Sequence, residues 1–271
     1  MKGFAVVLGL LLPAAACAVA GPRETLVFVD EFDRDGLLDP ARWDYEEGRV
    51  RNGELQHYTR ARRENARIEN GVLVLEARRE DFAGASYTAA SVITKGRAAF
   101  RHARIEVRAK LPAGRGVWPA IWLLGTDIDT LGWPRCGEID VLEFVGHEPG
   151  VVHANVHSES SNHLLGNGRG ARIPLVSASD AFHVYGVAWD ARTMVFTLDG
   201  EPTFTIANDG TGPASWPFDR SFYLLLNFAV GGSWGGRQGV DESVFPQRLL
   251  VDWVRVWEFD RGGPAGPASG R

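Results

Sequence analysis

Cysteine is scarce in this chain, with one at position 17 and one at position 136 in 271 residues. A cut after residue 20 would leave Cys136 alone, so no disulfide framework can hold the fold and the core must do so. Charge of one sign is also lacking. The 29 basic and 34 acidic side chains give a net charge of −5, without a basic cluster. That balance argues against nucleic acid and anionic membrane surfaces as partners, since both call for a concentrated positive field. Long apolar runs are missing too. The run from Phe4 to Leu12 in MKGFAVVLGLLLPAAACAVAGP is too short to span a bilayer. With Lys2 before it and small residues at Ala18 and Ala20, it has the layout of a secretory signal over residues 1–20. PAAAC offers an alternative, cleavage before Cys17 and a lipid anchor there, which is the one route to a membrane. Finally, no long stretch holds a helical period.

What is present alternates like sheet. In HARIEVRAKL, Ala103, Ile105, Val107 and Ala109 interleave with charged residues, the pattern of a strand with one wet face. Asn70-Gly71 and Asp199-Gly200 stand between β-rich runs as hairpin turns. VWPAIWLLG, FYLLLNFAVGG and LLVDWVRVWEF are apolar on both faces and suit inner strands. Many short strands without an internal repeat predict one all-β sandwich over residues 21–260. The tail RGGPAGPASGR, 261–271, has a disordered composition.

Residues 137–146, GEIDVLEFVG, place Glu138, Asp140 and Glu143 in an otherwise apolar run. On a regular strand Glu138 and Asp140 share a face and Glu143 points away. A β-bulge around Val141 and Leu142 would return Glu143 to the side of the other two. Hydrolysis of a glycosidic bond with retention needs one carboxylate as nucleophile and a second carboxyl as acid and base. Asp140 between them would hydrogen-bond the nucleophile and keep its neighbour protonated. The alternatives are a solvated strand face or a calcium site, although EIDVLE lacks the glycine turn and dense oxygens of an EF-hand loop.

GWPRCGEIDVLEFVG resembles the catalytic strand of the laminarinase branch of the family-16 glycoside hydrolases. RNGELQHYT, ITKGR, RAKLPAGRGVWPAIWLL, HANVHSESSNH, FHVYGVAWD, FYLLLNFAVGGSWGG and VDWVRVW resemble further blocks of that family, in its order. The resemblance implies a β-jelly-roll sandwich, concanavalin A-like, with a concave substrate groove, and a secreted endo-β-1,3-glucanase acting on β-1,3-glucan by double displacement. It implies Glu138 as nucleophile, Asp140 as assisting acid and Glu143 as acid/base, with no cofactor for catalysis and no protein partner. A glucan-binding protein on the same fold, or a hydrolase of mixed-linkage glucan, agar or carrageenan, stays open.

Around the acids, the resemblance implies sugar contacts from Asn52, Trp118, Trp122 and Trp133, and puts His157 near Glu143. Glu54 and Gln56 follow Asn52 at strand spacing. Trp189, Trp253 and Trp257 read as packing, and Cys136 as a small buried apolar residue. His153, His157 and His163 could suggest zinc, but the resemblance favours a sugar or carboxyl role for His157. Ser91 stands where some members carry a sugar-binding arginine. Some members also hold a structural calcium, for which Asp252 with Glu31 and Gly71 are the candidate ligands.

Overall fold

The computed structural model describes residues 24–259; the leader, Cys17 and the tail lie outside the described residues. Among the described residues seventeen strands follow one another. The first third holds β1 (Glu24–Asp30), β2 (Asp44–Tyr45), β3 (Gln56–Tyr58), β4 (Ala66–Glu69), β5 (Val72–Phe82), β6 (Ala85–Ala89) and β7 (Ser91–Ile93). Then come β8 (Ala103–Lys110), β9 (Val117–Gly125), β10 (Glu138–Glu143), β11 (Val151–His157) and β12 (Arg169–Pro174). The chain closes with β13 (His183–Trp189), β14 (Thr193–Leu198), β15 (Glu201–Ala207), β16 (Phe222–Val230) and β17 (Gln247–Phe259). Both predicted hairpins form. Asn70 and Gly71 take φ 54 and 74 between β4 and β5, and Asp199 and Gly200 take 52 and 84 between β14 and β15, the left-handed pair that a two-residue hairpin needs.

The strands build two sheets. The outer one runs β15-β14-β13-β8-β17-β5-β6-β3, with β1 on β17 and β4 on β5; the inner one runs β12-β11-β10-β9-β16-β7-β2. Inner strands β9 and β16 are buried along their whole length, yet they alternate in what they face. Val117, Ile121 and Leu123 of β9 and Leu224, Leu226 and Phe228 of β16 join Ile105, Val107 and Val254 of the outer sheet in the main core. Trp122 and Leu124 with Tyr223 and Leu225 form a second cluster on the opposite face. The unbroken apolar runs thus serve two surfaces, one row packed in the core between the sheets and the other on the sheet's far face, where no further sheet among the described residues covers it.

Trp189 is fully buried, as its strand pattern suggested, whereas Trp253 and Trp257 are only half-buried. Guanidiniums cover both instead: Arg255 lies 4.1 Å from the ring centre of Trp253, and Arg104 3.7 Å from that of Trp257. A cation over an indole face stabilises a solvent-side aromatic without interior packing. On the same sheet Glu76 is 1% exposed and receives Arg67, Arg78 and Arg248 together, so a buried carboxylate ties β4, β5 and β17.

Candidate active site

The bulge lies where the parity of the three acids requires it. β10 pairs with β9 as Asp140 opposite Trp122 and then Leu142 opposite Ile121, and its pairing with β11 shifts between Asp140 and Glu143. Val141 and Leu142 both turn into the main core. Glu138, Asp140 and Glu143 consequently share the inner sheet's other face, where they line a groove enclosing about 1140 Å³. Two glycines frame the stretch. Gly137 has φ +80 and lies where a Cβ would stand 2.8 Å from Pro217; a Cβ on Gly146 would stand 1.8 Å from the Gly114 carbonyl oxygen. Neither position admits a side chain without rebuilding the turn.

Each glutamate receives an indole N–H. Trp133 Nε1 donates to Glu138 Oε2 at 2.7 Å, and Trp118 Nε1 donates to Glu143 Oε1 at 3.2 Å. Asn155 Nδ2 adds a bond to Glu143 Oε2 at 3.0 Å. Asp140 is the most enclosed of the three, at 2% exposure. His157 lies across the strand pair from Glu138, with Nε2 3.3 Å from Asp140 Oδ2 and 3.8 Å from Glu138 Oε1. It therefore serves the Glu138 end, and its neighbour on β11, Asn155, serves the Glu143 end. His153, directly across from Glu143 on β11, bonds Glu148 instead, at 2.8 Å.

Burial governs the protons. It pushes Glu138 up to about 8, with the charge of Asp140 as the second cause, and Glu143 up to about 7, with the charge of Glu138 second. Asp140 is held well above its ordinary range by burial and then by Glu143. Three carboxyls this close and this dry cannot all ionise. Cys136, two residues before Glu138, is fully buried, and burial pushes its thiol up to about 12, which makes it inert as a nucleophile.

The remaining groove residues fall into two sets. Trp118 and Trp122 both face the groove and are 8% and 6% exposed. They form its floor, and Trp122 Nε1 is held by Asn227 Oδ1 at 2.7 Å. Asn52 stands exposed at the rim, in a turn with φ 55, and its Nδ2 donates to Glu54 Oε1 at 3.3 Å. Gln56 points inward, bonding Glu54 through Nε2 at 2.6 Å and accepting from the Val230 backbone at 2.8 Å. Ser91 is buried and donates to Glu46 Oε2 at 2.6 Å; Glu46 pairs with Arg51, whose guanidinium lies 4.9 Å from the ring centre of Trp122. A guanidinium thus reaches this wall from the β2–β3 connection. Arg51, Asn155, Asn227 and Trp234 lie inside sequence blocks that resemble the family, yet nothing in those blocks singles them out as groove residues.

The candidate calcium residues are arranged differently. Asp252 pairs with Arg108, Glu31 takes Arg255 on both oxygens at 2.8 and 3.0 Å, and Gly71 stands at the β4–β5 turn. A hard cation is drawn by uncompensated carboxylate oxygens. Both carboxylates here already carry a guanidinium, so these three residues as arranged do not fit a calcium ion.

The family model described as Glycosyl hydrolases family 16 matches residues 54–255. The chain belongs to glycosyl hydrolase family 16. It is 48% identical over 248 residues to a beta-glucanase of Rhodothermus marinus, covering 88% of this chain and 86% of that one. Among solved structures, the laminarinase from Rhodothermus marinus superposes with a TM-score of 0.85 at 47% identity, covering 88% of this chain and 98% of the other. SCLam, a non-specific endo-beta-1,3(4)-glucanase of family GH16, follows at TM-score 0.83 and 38% identity, covering 88% and 94%. Family 16 membership makes the chain a glycoside hydrolase and its two-sheet sandwich a jelly roll.

Proposed function

We infer that this glycoside hydrolase cleaves internal bonds of β-1,3-glucan with retention of configuration, using Glu138 as nucleophile and Glu143 as acid/base. The observation that carries the reading is the bulge, which puts both glutamates on one groove wall with an N–H donor on each. Asp140, the most enclosed acid, keeps its proton and shares it with Glu138; the reactive form of the coupled acids is the one in which Glu138 carries the charge and Glu143 the remaining proton. Glu138 attacks the anomeric carbon while Glu143 gives its proton to the departing oxygen. A glycosyl ester of Glu138 results. Glu143, now a carboxylate, takes a proton from water, the water attacks the same carbon, and Glu138 is released. Two inversions leave the configuration unchanged. The bond changes close with these groups alone and call for no cofactor.

The linkage preference is supported by the likeness to a beta-glucanase and a laminarinase of Rhodothermus marinus and by the open groove on the inner sheet, which offers a long site. The AVGGSWGG segment contributes Ser233 and Trp234 to one wall and the LLGNGRG segment contributes Leu164 to another. Export is supported by the layout of residues 1–20. The test is proton NMR of early laminarin hydrolysis with chromatography of the products, alongside mixed-linkage glucan and cellulose. Internal cleavage of laminarin with the β-anomer first, and untouched cellulose, is expected. The α-anomer first would overturn the mechanism, release of glucose alone would overturn internal attack, and binding without cleavage would make the chain a glucan-binding protein.

A further inference from the structure

One cluster on the groove wall has the chemistry of a metal site. His157 Nε2 and one carboxylate oxygen each from Glu138 and Asp140 lie within 4.8 Å of one another. Asp140 Oδ2, 3.3 Å from His157 Nε2, is buried and accepts no hydrogen bond among the described residues, so its lone pairs are open to an ion. We propose that Glu138, Asp140 and His157 form an inhibitory site for a zinc-like divalent transition metal ion.

The donor set selects the ion. One imidazole and two carboxylates suit zinc, with a fourth position left for water. Calcium and magnesium ask for six or more oxygens and fit it poorly. Zinc supplies two positive charges to a place where burial and mutual repulsion make carboxylates costly, which relieves both. An ion held there ties up the oxygen of Glu138 that would attack the sugar. Metal and substrate therefore exclude each other, and the hydrolase works only with this site empty. The proposal goes beyond the substrate reading, because binding of the ion does not depend on which glycan is cut.

The experiment is a calorimetric titration of the full chain with zinc chloride in a buffer that does not bind metal. A single site is expected. His157→Gln and Asp140→Asn should each weaken it by more than about tenfold, the low end of what loss of even an outer partner of a metal ligand costs. Glu143→Gln, inactive but with all three ligands intact, should retain it. Zinc should inhibit hydrolysis competitively, and a chelator should restore the rate. Should the ligand variants unfold, anomalous diffraction at the zinc edge from zinc-soaked crystals of the unaltered chain must place the ion among the three side chains. Unchanged affinity in His157→Gln, the absence of stoichiometric binding, or an ion located elsewhere would each overturn the proposal.

Discussion

Replacing Glu138 by Gln should make the protein both inactive and more stable, and the stability gain should depend on pH. In the folded chain Glu138 is raised to about 8 from its ordinary 4.5, chiefly by burial and then by Asp140. The sign follows from the raised value. Below 4.5 the side chain is protonated both folded and unfolded, and its contribution to the fold is intact. As pH rises from 4.5 towards 8, the unfolded chain releases the proton while the folded chain holds it, so stability is lost. Each pH unit in that window costs about 1.4 kcal/mol, and by pH 7 the penalty is on the order of 3 kcal/mol. Glutamine keeps the volume and an acceptor for Trp133 Nε1 without titrating. For a domain of this length, about 2–4 °C per kcal/mol gives a rise in melting temperature of roughly 6–12 °C at pH 7. At pH 4 the difference should vanish. Differential scanning calorimetry at both pH values reads the stability, and reducing-end release from laminarin reads the turnover. An equal gain at both pH values would refute the electrostatic argument. Turnover within about a hundredfold of the unaltered enzyme, the scale of a lost proton-transfer aid, would remove Glu138 as nucleophile.

Glu143→Ala should be nearly dead on polysaccharide yet still be glycosylated by an activated aryl β-glycoside, whose leaving group needs no proton, and added azide should then give a β-glycosyl azide detectable by mass spectrometry and NMR. Its absence would assign Glu143 another role. Deletion of Leu142 restores regular alternation on β10 and removes a core residue that is 1% exposed; activity should be lost, and full activity would mean that the bulge does not position Glu143. The kcat/KM profile should be a bell with apparent values belonging to the three acids together, displaced upward from 4.5 because burial raises Glu143 to about 7 and Glu138 to about 8. Rate measurements across the pH range that found the acid limb at an ordinary glutamate value would contradict the buried triad.

The catalytic strand was legible because parity is a strict rule: three acids at 138, 140 and 143 cannot share a face unless one residue is extra, and Val141 and Leu142 supply it. The hairpins at Asn70-Gly71 and Asp199-Gly200 were legible for the same local reason. Partnership across the fold was not. Trp118 and Trp133 stood out as aromatics beside the acids, but only the pairing of β9 with β10 and the loop before β10 turn their N–H groups onto Glu143 and Glu138. His157 follows from register, since the β10–β11 pairing sets it opposite Glu138 and leaves Asn155 for Glu143. The composition of β17 suggested interior tryptophans, yet the outer face of a sheet can hold indoles under arginines. An acid in an apolar strand, Asp252, announced the need for a counter-charge without revealing that Arg108 supplies it.

β9 and β16 each show one row of side chains to the core and the other to the groove, and this separates two kinds of heredity within single strands. Ile121 and Leu123 are constrained by the sandwich, whereas Ala120, Trp122 and Leu124 answer to whatever lies in the cleft. Substrate preference can drift, or be redesigned, by altering every second residue while the intervening ones stay fixed. Changes on opposite faces touch different neighbours, so their stability costs should combine nearly additively. A library restricted to groove-facing positions 120, 124 and 223 would explore new saccharides on an unchanged scaffold.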